Sequence, residues 1–429
     1  MRSPKTPAVL ATALLSIGAL SGCIAGSADN TSDDQQTSGT VEFWTINLKG
    51  NYGDYIQGLI DDYESANDGV EIEWVDVPGG EINQKLLAAL ASGDVPDVVQ
   101  LVDSDLGSFG NALSDLTPFY SDDDLSAYIP ALVDAVRLQD ELVAVPWIHG
   151  GAPAGWYNTQ LLDQAGIAPA DLPTTWDEAF EFGRQVKAAT GACGFAELPR
   201  VAVLQSEGIT VLNDDRTQAT LNTPEAAAVL DKWREAYRAG AVCPGAVSED
   251  IRNLPETLDN GLAAGVVGGV YGLPANLINT ENNAPDVYQN LVVTPGVQGA
   301  AGNYVIPGIN TFVVPERSDI KEVAADFILH VTGPDAQLEF CELAPLFPST
   351  SQTLEGGAFT DLDESDPQDA ARMRVLDELP LVITQQISTQ LEDAYLKEIR
   401  AFLTGDGAAT DALAKVEDAW NTLLAEQAG

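Results

Sequence analysis

The chain has 429 residues, with 20 Lys plus Arg against 65 Asp plus Glu, a formal charge of −45 and a pI near 4.1. Apolar residues make up 45%, enough for a packed core, and the length suits two domains on a prior of roughly 100 to 200 residues each. A polyanion of this size repels phosphate backbones and anionic headgroups, and no Lys/Arg cluster interrupts the pattern, so nucleic-acid binding is disfavoured and the acid reads as a soluble surface.

The N-terminus carries Arg2 and Lys5, then an apolar run from Ala8 to Leu20, then Leu20-Ser21-Gly22-Cys23. That order is a secretory signal over residues 1–22, and its apolar run is shorter than the about 20 residues of a spanning helix. The last four residues resemble the bacterial lipobox, which marks Cys23 for lipidation. A polar stretch rich in Gly, Ser, Asp, Asn, Thr and Gln continues to Thr40, so residues 23–40 read as a lipidated cysteine and a flexible tether reaching roughly 20 to 25 Å.

The body reads as strands alternating with helices, which predicts an α/β fold with a largely parallel sheet. Val41–Thr45 is a strand, 52–66 an amphipathic helix and 70–77 a second strand. The helix 81–91 stops at Gly93, a C-cap followed by Pro96, and Val98–Val102 is a buried strand. Thr175 followed three residues later by Glu178 is a capping box opening a helix to about Ala189, and Thr223-Pro224 opens another. A strand at Val266–Tyr271 and one at Thr311–Val314 follow, with helices over 319–331, 334–343, 368–379, 385–403 and 409–426. Three cysteines remain in the exported body, allowing one disulfide. Cys193 and Cys243, both beside Gly or Pro, are the favoured pair, leaving Cys341 a buried thiol.

Three segments, Gly93-Asp94-Val95-Pro96-Asp97-Val98-Val99, Trp156–Ile167 and Pro173-Thr174-Thr175-Trp176-Asp177-Glu178, resemble signature segments of the extracellular solute-binding proteins of ABC importers, family 1, the carbohydrate and maltose-binding type. Gly265–Tyr271, Ala324–Ile328 with Gly333–Gln337, Pro348-Ser349-Thr350 and the closing 405–424 stretch extend the likeness over roughly the whole exported chain. The resemblance implies a periplasmic-binding-protein-like fold of two α/β lobes, joined by a multi-segment hinge and closing on one ligand, with a permease as partner. The expected lobes are 41–149 with 312–350, and 150–311 with 351–429. The expected crossings lie near 147–151, 308–312 and 348–355.

Ligands of open α/β sheets bind outside the carboxyl ends of the strands, which places Trp44, Asn47, Asp103, Ser104 and Asp105 at a crevice. A sugar presents apolar C–H faces and a rim of hydroxyls, so aromatic platforms ringed by Asp, Asn and Gln are the expected equipment. Tyr271 matches the stacking aromatic of the resemblance. Trp44, Trp147 and Tyr304 are each a candidate platform or a packing residue. His149, Asn310, Gln385 and Gln386 are candidates by position. Trp176 and Tyr157 read as structural.

The rival to a sugar-binding receptor is an anchored glycosidase, which needs two carboxylates at set spacing and which 65 acids neither support nor exclude. No Gly-x-Ser-x-Gly, His-Glu-x-x-His or Gly-Lys-Ser/Thr motif occurs, so no chemistry, metal or cofactor is expected. The same fold binding a polyamine or glycerol phosphate is a further alternative. The expectation is therefore a monomeric, non-enzymatic receptor. It sits at the outer face of the cytoplasmic membrane by its lipid alone and partners a carbohydrate and an ABC permease.

Overall fold

Residues 38–151, 153–213, 216–248, 258–268, 272, 274–302, 308–344, 346–355, 359–377 and 387–427 are described by the structure, a computed structural model. Twelve strands occur among them: β1 (Gly39–Ile46), β2 (Val70–Val77), β3 (Val98–Val102), β4 (Arg137–Leu138), β5 (Glu141–Leu142), β6 (Val145–His149), β7 (Ala154–Asn158), β8 (Cys193–Phe195), β9 (Ala263–Val266), β10 (Leu291–Pro295), β11 (Ile309–Val313) and β12 (Phe347–Pro348). They form a six-stranded sheet in the order β12-β6-β11-β3-β1-β2, a four-stranded sheet β10-β7-β9-β8, and the hairpin β4-β5.

The first sheet corrects the expectation of largely parallel pairing. Strand β1 runs parallel to β2 and β3, but β11 is antiparallel to both β3 and β6, and β12 is antiparallel to β6. Parallel pairs need long crossovers, which the helices Lys49–Ala66 and Ile82–Ser92 supply. Strands β6, β11 and β12 instead belong to segments that join the two halves of the chain, and no crossover fixes their direction.

Each sheet has its own apolar core. In the first lobe the helix Lys49–Ala66 buries Ile56, Ile60 and Tyr63, one helical face. Phe43 packs against Phe312 and Phe327 with ring centroids 5.5 and 5.0 Å apart. In the second lobe Trp233 lies within 5.0 to 6.1 Å of Trp176, Phe180 and Phe195. A disulfide joins Cys193 on β8 to Cys243, just beyond the helix Pro224–Arg238, with Cα atoms 5.1 Å apart. Cys341 is a free thiol buried in the first lobe, and burial pushes its pKa up to about 12.

Local signals met the backbone with three differences. Thr175 caps its helix by accepting from the Glu178 N–H at 3.3 Å, but the Glu178 carboxylate accepts from the N–H and hydroxyl of Thr174, so the reciprocal arm lands one residue early. Of the expected strand 266–271, only Val266 falls in β9, which ends there, and Gly268 beyond it takes φ +125° in close approach to Gly296 and Val297; residues 269–271 lie outside the described residues. Strand β11 begins at Ile309, two residues before the expected start at Thr311, and pairs along its length with β3 and β6.

His149 pairs with Ile309 on one side and Phe347 on the other, so three segments share one rung. Gly151, just beyond, takes φ +80°, and a Cβ there would meet Val375 at 2.5 Å and Phe347 at 2.8 Å. Val375 lies on the helix Pro367–Asp377, which gives Ala371 to the second core and Val375 to the first. No helix among the described residues is long and apolar enough to cross a membrane.

Candidate functional site

The carboxyl ends of the first lobe's strands are bound to one another by side chains. Gln100 interrupts the apolar run of β3; its Oε1 accepts from the Ile46 N–H at 2.8 Å and its Nε2 donates to Asn310 Oδ1 at 3.1 Å. Asn47 follows, exposed, at φ +53°. Asp103, Ser104 and Asp105 open the short helix Asp103–Phe109 that leaves β3.

Both aspartates are buried. Asp103 Oδ1 accepts from the Ile309 N–H at 2.9 Å, while Oδ2 is buried without a hydrogen-bond partner. Burial pushes this carboxyl up to about 7, against the Ile309 and Ser104 N–H groups and the Arg216 guanidinium, which pull it down. Asp105 accepts from Asn83 at 2.8 Å through Oδ2, and from the Thr389 hydroxyl at 3.1 Å through Oδ1. Thr389 opens the helix Thr389–Thr404 of the second core, so this bond spans the lobes. The helix starts there, capped by Ser388, later than the position 385 read from the sequence.

Two expected platforms are covered. Trp44 is 4% exposed, its Nε1–H donates to Glu42 at 2.7 Å, and the Lys85 ammonium sits 3.7 Å above its ring. Trp147 is buried between Phe312 and Phe340, at 5.2 and 4.7 Å, and is a core residue. Both rings point to the packed side of a strand whose two faces are buried, which alternation alone does not distinguish from the crevice side. His149 is buried and stacked on Phe347; its Nδ1 accepts from the Gly151 N–H at 3.0 Å, and burial lowers its pKa to about 4, so it is neutral and shapes the turn. Tyr271, Tyr304, Gln385, Gln386 and Cys23 lie outside the described residues.

Between the lobes lies a cavity of about 790 Å³. Ser104, Ser108 and Asn111 line it from the first lobe, together with Gln139 at the tip of the β4-β5 hairpin; Arg216, Thr217 and Ser388 line it from the second. Leu138, Leu212, Leu391 and Leu424 supply apolar wall. Hydroxyl and amide donors on an apolar base can hold a polyhydroxylated ligand without any charge transfer or bond making. Sequence reasoning missed Gln100, Asn83, Arg216 and Thr389. Gln100 alone carried a signal, a polar side chain inside a five-residue apolar strand.

Comparison with known proteins follows the same lines. The family model for the bacterial extracellular solute-binding proteins matches residues 49–338, more than half of the chain. The chain belongs to this family. Among relatives of this solute-binding protein, the lactose-binding protein of Rhizobium radiobacter is 29% identical over 280 residues, which cover 61% of this chain and 63% of that protein, so the match spans less than two thirds of that relative's length. The arabinooligosaccharide-binding protein of Halalkalibacterium halodurans is 23% identical over 321 residues, 71% of this chain and 70% of that protein. The sugar-binding protein MalE of Xanthomonas citri shares the two-lobe α/β fold with a TM-score of 0.74 at 20% identity, over 91% of this chain and 98% of that one. The cyclic alpha-maltosyl-1,6-maltose binding protein of Arthrobacter globiformis does so with a TM-score of 0.70 at 22% identity, over 91% and 100%.

Proposed function

We propose that this solute-binding protein is the lipid-anchored receptor of an ABC importer, holding a carbohydrate between its lobes and handing it to the permease without altering it. One observation carries the reading: the cavity is walled by hydroxyl, amide and a few charged side chains (Arg137, Glu141, Arg216) contributed by both lobes, and the Thr389–Asp105 bond joins those lobes at its edge. The names of the lactose- and arabinooligosaccharide-binding relatives support a sugar, and the cavity volume supports an oligosaccharide over a single ring. The lobes comprise 41–149 with the strands β11 and β12, and the second core with its C-terminal helices. They move as bodies about the rung at His149.

Cys23 is the acylated residue that holds a monomeric receptor at the outer face of the cytoplasmic membrane, and residues 24–40 are its leash. Secreted as a Cys23→Ala variant, the protein is expected to leave the membrane fraction and keep its ligand affinity; loss of affinity in the folded variant defeats this separation of anchor from site.

The test of ligand class is thermal melting of that secreted form against neutral oligosaccharides, glycerol phosphate and polyamines, followed by calorimetry and analysis for product. A ligand of the folded state adds about 2.7 kcal/mol at 100 times its dissociation constant. A shift with one sugar class and no product supports the receptor. Cleavage of the sugar replaces it with a glycosidase, and a shift with only polyamine or glycerol phosphate keeps the fold and discards the sugar.

A further inference from the structure

Four non-glycine residues among those described take positive φ: Asn47, Gln139, Asp140 and Arg216. Two of them, Gln139 in the first lobe and Arg216 in the second, line the same cavity. Left-handed backbone at a bulky non-glycine residue is costly, and it persists where the surroundings or the function fix it.

The hairpin makes the cost plain. Strands β4 and β5 pair Arg137 with Leu142 and Leu138 with Glu141, leaving Gln139 and Asp140 as a two-residue loop at φ +51° and +72°. Both positive angles define a type I′ turn, for which Asn-Gly is the relaxed sequence. Arg137 Nη1 donates to the Asp140 carbonyl at 3.0 Å and braces the turn. A turn serving only to reverse the chain gains nothing from glutamine here, but a turn presenting an amide to the cavity does.

Arg216 is held in the same manner. Its N–H donates to the Asn213 carbonyl at 2.9 Å, and Asn213 Oδ1 accepts from the N–H groups of Thr217 and Gln218 at 2.8 and 2.9 Å. Its guanidinium lies in the field of Asp103, which belongs to the other lobe.

We propose that Gln139 and Arg216 are specificity-determining residues, a two-sided clamp that holds the end unit of an oligosaccharide in this cavity. The inference rests on the sugar-receptor reading and deepens it. The lining side chains include no aromatic ring among the described residues, so the end unit is read by its hydroxyl rim. Gln139 both donates and accepts, Arg216 donates, and the leucine wall covers a C–H face. Because the two residues come from different lobes, the clamp is complete only when the lobes close. A single ring, bound elsewhere in the crevice, does not reach it.

The test exploits the strain. Gln139→Gly and Arg216→Gly each relax a positive φ, so a folding defect is not expected and the melting temperature of the unliganded chain should hold or rise. Calorimetry with the full exported chain compares lactose, maltotriose and arabinotriose with galactose, glucose and arabinose. Each variant is expected to weaken the bound oligosaccharide at least tenfold, while leaving any binding of the matching monosaccharide within about twofold. Unchanged oligosaccharide affinity, or equal weakening for both lengths, overturns the clamp and leaves the receptor intact. A wild-type chain that binds none of the saccharides overturns the receptor reading, and the clamp falls with it.

Discussion

The two lobes stabilise small sheets by different means. The first lobe has six strands, two of them eight residues long, and its ends are tied by buried side chains such as Gln100 and Asp103. The second has four strands of three to five residues, and relies on the Trp176, Phe180, Phe195 and Trp233 cluster and on a disulfide. Long ladders hold their own register, whereas short strands need a staple. The first lobe can therefore offer a crevice wall fixed by its backbone, and the second offers residues from loops and a helix start, Arg216, Ser388 and Thr389.

The largest expected effect tests the staple. Cys193 and Cys243 are 50 residues apart in sequence, a loop for which closure entropy gives about 4 kcal/mol. Replacing both by serine should lower the urea midpoint and make the second lobe exchange its amide protons before the first. Uniform loss of protection in both lobes would show that they unfold as one unit, and the contrast drawn above would then fail.

The contrast also explains what the sequence disclosed. In the first lobe, apolar strands of five to eight residues alternate with helices closed by Gly93 and similar signals, so β1, β2 and β3 were legible within a few residues and their carboxyl ends pointed to Asp103 and Asp105. In the second lobe the strands are too short to show periodicity, and β8 and β10 were not read at all. Its crevice residues are scattered. Arg216 lies in a turn and Thr389 begins a helix, and neither position is marked by composition. For Trp44 and Trp147 the sequence left platform and packing open, because a strand buried on both faces gives both sides an apolar appearance; which face a ring takes is decided by partners far away in sequence, Lys85, Phe312 and Phe340.

The next effect probes the fixed wall through pH. The folded-state pKa of Asp103 is raised from the usual 3.8 to about 7, so the folded state holds the proton more tightly than the unfolded one. Its contribution to stability is full below about pH 4 and is lost as pH rises through 7, a change of roughly 2 kcal/mol between pH 4 and pH 6. Asp103→Asn keeps an acceptor for the Ile309 N–H and removes the titration. The variant should gain on the parent steadily over that window in chemical denaturation. His149 acts in the opposite sense: its pKa is lowered from 6.5 to about 4, so its contribution is present above 6.5 and lost as pH falls through 4. A parent and Asp103→Asn with parallel stability profiles would show that the carboxyl is ionised throughout.

A smaller effect tests the link between the lobes. Thr389→Val removes the hydroxyl that donates to Asp105, a bond to a charged group with a net contribution of about 1.5 kcal/mol or somewhat more. The unliganded closed form should become about tenfold less favoured, read as a larger radius of gyration by small-angle scattering. Melting should change little, because each lobe keeps its own core. An unchanged radius with lowered melting temperature would assign Thr389 to the second lobe's stability rather than to closure.

The smallest effect compares two helix starts, one in each lobe. Ser121 and Asp124 form a complete capping box: the Asp124 N–H donates to the Ser121 hydroxyl oxygen at 3.2 Å, and the Asp124 carboxylate accepts from the Ser121 N–H at 2.8 Å. Thr175 makes only the first of these bonds, since Glu178 turns to Thr174. Ser121→Ala should therefore cost about 1 kcal/mol and Thr175→Ala about half of that. Ser121 holds the Asp124 carboxyl below its usual 3.8, so the box contributes above that pH and weakens as pH falls through the lowered value. The deficit of Ser121→Ala should shrink in acid. That of Thr175→Ala should shrink less, because its bond runs from a backbone N–H to a hydroxyl, and the Glu178 carboxyl beside it is held below its usual 4.5 first by Thr174.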